Sequence, residues 1–226
     1  MRMRYKAVVC DVDGTITDSS KRIQCLGIEV LRRAQENGAV VMLASGNVLP
    51  IAYGLSTFIG LRGPVVAENG GIVSYQDRTY ALFSNEVPLQ AYEHLREVMP
   101  EVRRLFTDQW RRTEVALVRE VDLDGVREAL RGWPIEVEAT GFAIHLMQVG
   151  HSKMAGVRKA CELLGMDASE VVAFGDADND ERMLRECGVG VAIGNASERA
   201  KRAADLVTKG AHAEGVLEGL TSLGIL

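Results

Sequence analysis

Residues 7–15, Ala-Val-Val-Cys-Asp-Val-Asp-Gly-Thr, decide how this chain is read. The run 5–10 reads as a short buried strand, apolar and uninterrupted over 7–10. It ends on two carboxylates two residues apart, and on an extended backbone Asp11 and Asp13 project to one side. Like charges held that close are costly without a cation. The carboxyl ends of parallel strands are also where open α/β sheets bind ligands. The plainer alternative is a strand-end turn in which Asp caps and Gly14 takes a positive φ.

Outward from this strand, Ser19 or Ser20 is placed to cap a helix reaching about Asn37, and 39–43 forms a second continuous apolar strand. The pattern returns late in the chain: helix 152–164, strand 171–174, helix 178–186, strand 190–193, and helices near 197–203 and 212–220. Apolar strands alternating with helices indicate an α/β fold, a doubly wound, mostly parallel sheet with a Rossmann-like core. Over 82–150 the grammar changes. A helix at 89–99 and a strand-like 113–120 are followed by a helix at 123–133 and strands at 135–139 and 142–149, broken at Thr140-Gly141. This suits an antiparallel sheet with helices on one face. The expected organisation is a Rossmann-like core of 1–81 and 151–226 with an inserted α+β domain at 82–150.

Composition excludes several partners. The 226 residues carry 31 acidic and 26 basic side chains, a net charge of −5, and a nucleic-acid binder normally carries a basic excess or stripe. Cys10, Cys25, Cys161 and Cys187 lie far apart with no C-x-x-C pair, which argues against a zinc site or a disulfide framework and for reduced thiols in a cytoplasm. The basic stretch 1–6 is followed by too short an apolar run for an export signal, so a cytoplasmic location is expected. Segment 37–61 is uncharged and long enough to span a bilayer. Ser45, Gly46, Asn47, Pro50 and Gly54 break it, so it is read as buried core, with no membrane partner. Asn195-Ala196-Ser197 matches a glycosylation sequon by chance.

A second acidic cluster, Gly175-Asp176-Ala177-Asp178-Asn179-Asp180, follows an apolar strand. Its spacing opens like an EF-hand, but Glu181 and Cys187 occupy the loop's sixth and twelfth positions, where Gly and Glu are required. Capping accounts for one such carboxylate; three within five residues exceed it. If the two strands are neighbours, Asp11, Asp13, Asp176 and Asp180 converge as an all-oxygen site for a hard divalent cation, Mg²⁺ first. Lys153, in the first turn of a helix capped by Ser152, meets the positive end of the macrodipole, a conflict that a phosphate would remove. Ser45-Gly46-Asn47 offers a hydroxyl and backbone N–H groups suited to phosphoryl oxygens.

These four stretches, in order, resemble the motifs of the haloacid dehalogenase-like phosphatases: Asp11 to Thr15, Ser45 after a strand, Lys153, and 175–180. The insert is similar to the α/β cap of the Cof-type subgroup. Ser45-Gly46-Asn47 with the run 63–71, Gly-Pro-Val-Val-Ala-Glu-Asn-Gly-Gly, resembles the archaeal phosphoglycolate phosphatases, whereas many Cof-type sugar phosphatases have Arg at the place of Asn47. The resemblance implies a Mg²⁺-dependent phosphatase acting on 2-phosphoglycolate, with a sugar phosphate or other small phosphomonoester as the alternative. It implies Asp11 as nucleophile and Asp13 as acid/base. It implies metal binding by Asp11, the Asp13 carbonyl, Asp176 and Asp180, and phosphate binding by Ser45, Gly46, Asn47 and Lys153, supported by Thr15 and Asn179. The partner implied is a small phosphorylated metabolite, bound by a monomer or homodimer. His145 is read as a half-buried structural side chain.

A receiver domain also places Asp, Ser/Thr and Lys around Mg²⁺, but needs no carboxylate two residues past its phospho-acceptor and carries no such insert. No G-x-S-x-G elbow or G-x-x-x-x-G-K-[ST] loop is present, and Gly188, Gly190 and Gly194 do not have the spacing for dinucleotide binding.

Overall fold

In the computed structural model, which describes residues 5–226, the chain runs β1 (Ala7–Asp11), α1 (Cys25–Glu36), β2 (Val40–Ala44), α2 (Leu49–Ile59), β3 (Val65–Ala67), β4 (Ile72–Tyr75), β5 (Arg78–Ala81), α3 (Glu86–Val98), β6 (Val115–Val118), α4 (Leu123–Ala129), β7 (Ile135–Ala139), β8 (Ala143–Gln148), α5 (Lys153–Leu164), β9 (Val171–Gly175), α6 (Glu181–Glu186), β10 (Val189–Ala192), α7 (Glu198–Ala203), β11 (Leu206–Val207) and α8 (His212–Ser222). Residues 1–4 of the basic stretch lie outside the described part.

One sheet has the order β11-β10-β9-β1-β2-β3-β4-β5. It is parallel from β11 to β3, then antiparallel through β4 and β5. Every residue of β1 is buried, because helices cover both sides. Val8 and Cys10 face a layer containing Val30, Leu31, Val216 and Leu220 of α1 and α8. Ala7 and Val9 face Met154, Val157, Met183 and Ala200 of α5, α6 and α7. That alternation explains the uninterrupted apolar run in a two-sided strand. A second sheet, β6-β8-β7, is antiparallel. Its residues Leu117, Val137, Ile144 and Leu146 form a separate core with Ala91, Leu95 and Val126 of α3 and α4. Among the described residues, no helix is long and apolar enough to cross a membrane; segment 37–61 folds into β2, a loop and α2.

Two expectations need correction, and one group of strands is new. The first helix begins at Cys25, with Gln24 rather than Ser19 or Ser20 at its N-cap. The Asp18 carboxylate accepts the N–H groups of Ser20 (2.8 Å) and Arg22 (3.0 Å), and Thr17 bridges Ile23. Those amides therefore close a turn instead of entering a helix. Strands β3 to β5 were not expected, because strands of three or four residues carry little periodicity. Helix α4 ends at Ala129 rather than near Trp133.

Candidate active site

Strands β1 and β9 are parallel neighbours with Cys10 opposite Phe174, so Asp11 and Asp176 leave the same edge of the sheet. Carboxylate oxygens of Asp11, Asp176 and Asp180 all lie within 4.8 Å of one another. Two glycines permit this approach. Gly14 has φ +89°, and a Cβ there would stand 2.3 Å from Asp176 Oδ2; at Gly175 it would stand 2.6 Å from Asp180 Cγ. The Asp13 carboxylate is not among the three and instead accepts from Asn47 Nδ2 at 2.7 Å.

Lys153, only 2% exposed, opens α5, and Ser152 Oγ caps that helix by accepting from Ala155 N–H. Its Nζ donates to Asp11 Oδ1 at 2.5 Å and to Asp180 Oδ1 at 2.6 Å. Two carboxylates thus offset the conflict with the helix macrodipole. Asp180 Oδ2 accepts the N–H groups of Asp176 and Ala177, and Thr15 Oγ1 donates to Asp176 Oδ1 at 2.9 Å. Asp11 Oδ2 is buried with no hydrogen-bond partner. An unpartnered carboxylate oxygen beside two further carboxylates is the donor set of a hard divalent cation, and one Lys charge does not neutralise three acids.

Burial raises the Asp11 carboxyl well above its ordinary value; Lys153 opposes this, while Asp180 and Asp176 add to it. Asp176 is pushed up to about 6, first by burial and then by Asp180. Burial would lower Lys153, but Asp11 and Asp180 outweigh it and hold the ammonium charged. Between the ordinary Asp value and about pH 6, the metal-free folded protein keeps on Asp176 a proton that the unfolded chain has lost. Its stability therefore falls as pH rises through that window. A divalent cation needs the ionised carboxylates, so its stabilising effect grows over the same window. Thermal melts with EDTA and with Mg²⁺ check this: the Mg²⁺-induced rise in Tm is expected to be larger at pH 7 than at pH 5, and an equal rise at both contradicts it.

Asp11, Asp13, Gly46, Lys153 and Asp176 line a cavity of about 520 Å³ whose far wall is the β7–β8 loop, Ala139 to Phe142. Ser45, which is buried, and Asn47 flank Gly46 in the chain. Ser45 Oγ accepts from Asn47 N–H at 3.0 Å, which leaves its hydroxyl proton free to donate.

Several residues here carried no functional reading in the sequence. Asn195, taken there only for a chance sequon, donates to Gly14 O at 3.0 Å and lines the cavity; its place just after the carboxyl end of β10 was the available signal. A buried polar network runs from the site into the second sheet. Asn179 Nδ2 donates to Asn69 Oδ1, and Asn69 Nδ2 donates to Glu114 Oε2 at 3.0 Å. Arg111 pairs with Glu114 and donates to Gly46 O. His145 lies 3.2 Å from both Asn69 and Glu114 and is fully buried, not half-buried. Burial and the nearby Arg111 and Lys153 charges push it well below its ordinary value, so it is a neutral hydrogen-bonding group. His212 Nδ1–H donates to Gly14 O, His151 Nε2–H to Glu68 O.

The Asp cluster, the buried Lys and the two-sheet fold define a class. The chain belongs to the haloacid dehalogenase-like hydrolase family, whose model matches residues 8–112 and 116–220. It is 40% identical over 215 residues to the phosphoglycolate phosphatase of Methanothermobacter thermautotrophicus, covering 95% of this chain and 97% of that one. It is also 40% identical to the phosphoglycolate phosphatase of Methanopyrus kandleri, with 96% of each chain covered. A crystal structure of a Thermoplasma acidophilum protein superposes with a TM-score of 0.90 at 29% identity, covering 100% of both chains.

Proposed function

We propose that the protein is a Mg²⁺-dependent phosphatase that hydrolyses 2-phosphoglycolate to glycolate and phosphate through an aspartyl-phosphate on Asp11. The observation that carries the reading is the buried, unpartnered Asp11 Oδ2 at the floor of a cavity shared with Asp13 and Lys153. The phosphoglycolate phosphatase relatives support the substrate.

In the first step an Asp11 oxygen bonds to phosphorus as the bond to the glycolate oxygen breaks, and Asp13 gives that oxygen a proton. In the second, water bonds to phosphorus, the bond to Asp11 breaks, and Asp13 takes the water's proton back. Burial raises the Asp13 carboxyl above its ordinary value, against Lys153, Lys21 and the Asn47 hydrogen bond, the direction an acid needs. Lys153 and the Ser45 hydroxyl would hold phosphoryl oxygens together with Gly46, with Asn47 steadying both Ser45 and Asp13. Asp11, Asp176, Asp180 and the Asp13 carbonyl would hold Mg²⁺, which when bound offsets repulsion between the anionic nucleophile and the anionic substrate.

Asp13→Ala is expected to lower kcat on 2-phosphoglycolate by about 10²- to 10⁴-fold, the usual worth of a general acid/base. A loss below about threefold contradicts that role. The substrate is tested by phosphate release from 2-phosphoglycolate, 3-phosphoglycerate, sugar phosphates and p-nitrophenyl phosphate, each with Mg²⁺ and with EDTA. Preference for phosphoglycolate supports the assignment. Preference for a sugar phosphate replaces the substrate and keeps the mechanism; equal activity in EDTA overturns the mechanism.

A further inference from the structure

The cavity wall carries Asp11, Asp13, Asp18, Asp176 and Asp178 against two cations, Lys153 and Lys21. Lys153 is committed to Asp11 and Asp180. Lys21 forms no ion pair among the described residues. Its Nζ lies over the ring of Phe142, 5.4 Å from the centroid, and an aromatic face holds a cation in place without cancelling its charge. The backbone of Lys21 stands at φ +60° in the turn that Asp18 closes, so the side chain leaves a built turn rather than a loose loop. Phe142 belongs to the β7–β8 loop, so the ammonium bridges the core and the second sheet's loop across the cavity.

We propose that Lys21 is a specificity-determining residue that binds a second anionic group of the substrate, the carboxylate of a small phosphorylated hydroxy acid. The proposal rests on reading the cavity as a phosphatase site. With the phosphoryl group at Asp11 and Lys153, a carboxylate at the other end of so short a molecule enters a space walled by five acids. An unneutralised ammonium on that wall offsets the repulsion, and the four-carbon lysine stem lets it follow the ligand. A substrate with hydroxyls in place of the carboxylate has no use for this charge.

The test compares 2-phosphoglycolate with 2-hydroxyethyl phosphate, in which an alcohol replaces the carboxylate, for wild type, Lys21→Met and Lys21→Arg in Mg²⁺. Lys21→Met is expected to lower kcat/KM for 2-phosphoglycolate by about 10- to 100-fold, mainly through KM, as for loss of a charged hydrogen bond. With 2-hydroxyethyl phosphate it stays within about twofold of wild type, which also shows that the variant is folded, and Lys21→Arg keeps most of the preference. Equal losses on both substrates, or none on either, overturn the assignment while leaving the phosphatase reading intact. A wild type that turns over 2-hydroxyethyl phosphate but not 2-phosphoglycolate overturns the substrate reading and Lys21's role together.

Discussion

Asp11→Asn is expected to reduce phosphate release by at least about 10³-fold and to leave the protein folded. The amide matches the carboxylate in size but is a far poorer nucleophile, and loss of a covalent nucleophile is among the most damaging single changes an enzyme can suffer. Asp11 also supplies one of three carboxylates within 4.8 Å, so Mg²⁺ affinity should fall in the same variant. The fold should survive, because burial already raises the Asp11 carboxyl well above its ordinary value, and a neutral amide at that place removes a charge that folding penalises. Phosphate release and a thermal melt of the same preparation check this. Residual activity above a tenth of wild type, or a protein that melts far below it, contradicts the assignment.

Lys153→Met is expected to damage both activity and stability. The methionine fills similar space but strands Asp11 and Asp180, which now share the ammonium at 2.5 and 2.6 Å in a fully buried setting. Removing one partner of a buried ion pair costs about 3–5 kcal/mol, chiefly because the remaining charge is left uncompensated. For a chain of this length that is on the order of 10 °C in Tm. Mg²⁺ should recover part of the loss, since a divalent cation answers the same carboxylates, whereas activity should stay at least about 10²-fold down because the transferring phosphoryl group has lost its cation. A variant that melts like wild type in EDTA contradicts the buried-pair account.

The parts of this molecule that were legible in its sequence are those dictated by local chemistry. The strands β1, β2 and β9 announce themselves because burial on both faces demands unbroken apolar runs. The Asp pairs lie where those runs end, and Ser152 before Lys153 is an ordinary N-cap. The turn at 18–22 was misread because Asp-Ser-Ser-Lys-Arg is equally good as a helix entry, and the Thr17–Ile23 bridge that selects the turn is a pairing across the loop. The link from Asn69 to Glu114 and His145 joins positions 45 and 76 residues apart, and no local pattern marks such a bond. Asn195 and Lys21 were passed over for the same reason: each looks like an ordinary surface residue until the ends of β1, β9 and β10 and the β7–β8 loop are brought to one cavity.

The most direct test of Asp11 as nucleophile uses Asp13→Asn with p-nitrophenyl phosphate. That leaving group needs no proton, so the first step should proceed while the second, lacking its base, stalls. A burst of about one p-nitrophenolate per protein is expected, and borohydride reduction of the quenched protein should convert residue 11, and no other aspartate, to homoserine, as read by peptide mass spectrometry. Steady release without a burst at the wild-type rate, or homoserine at Asp176 or Asp180, would contradict it.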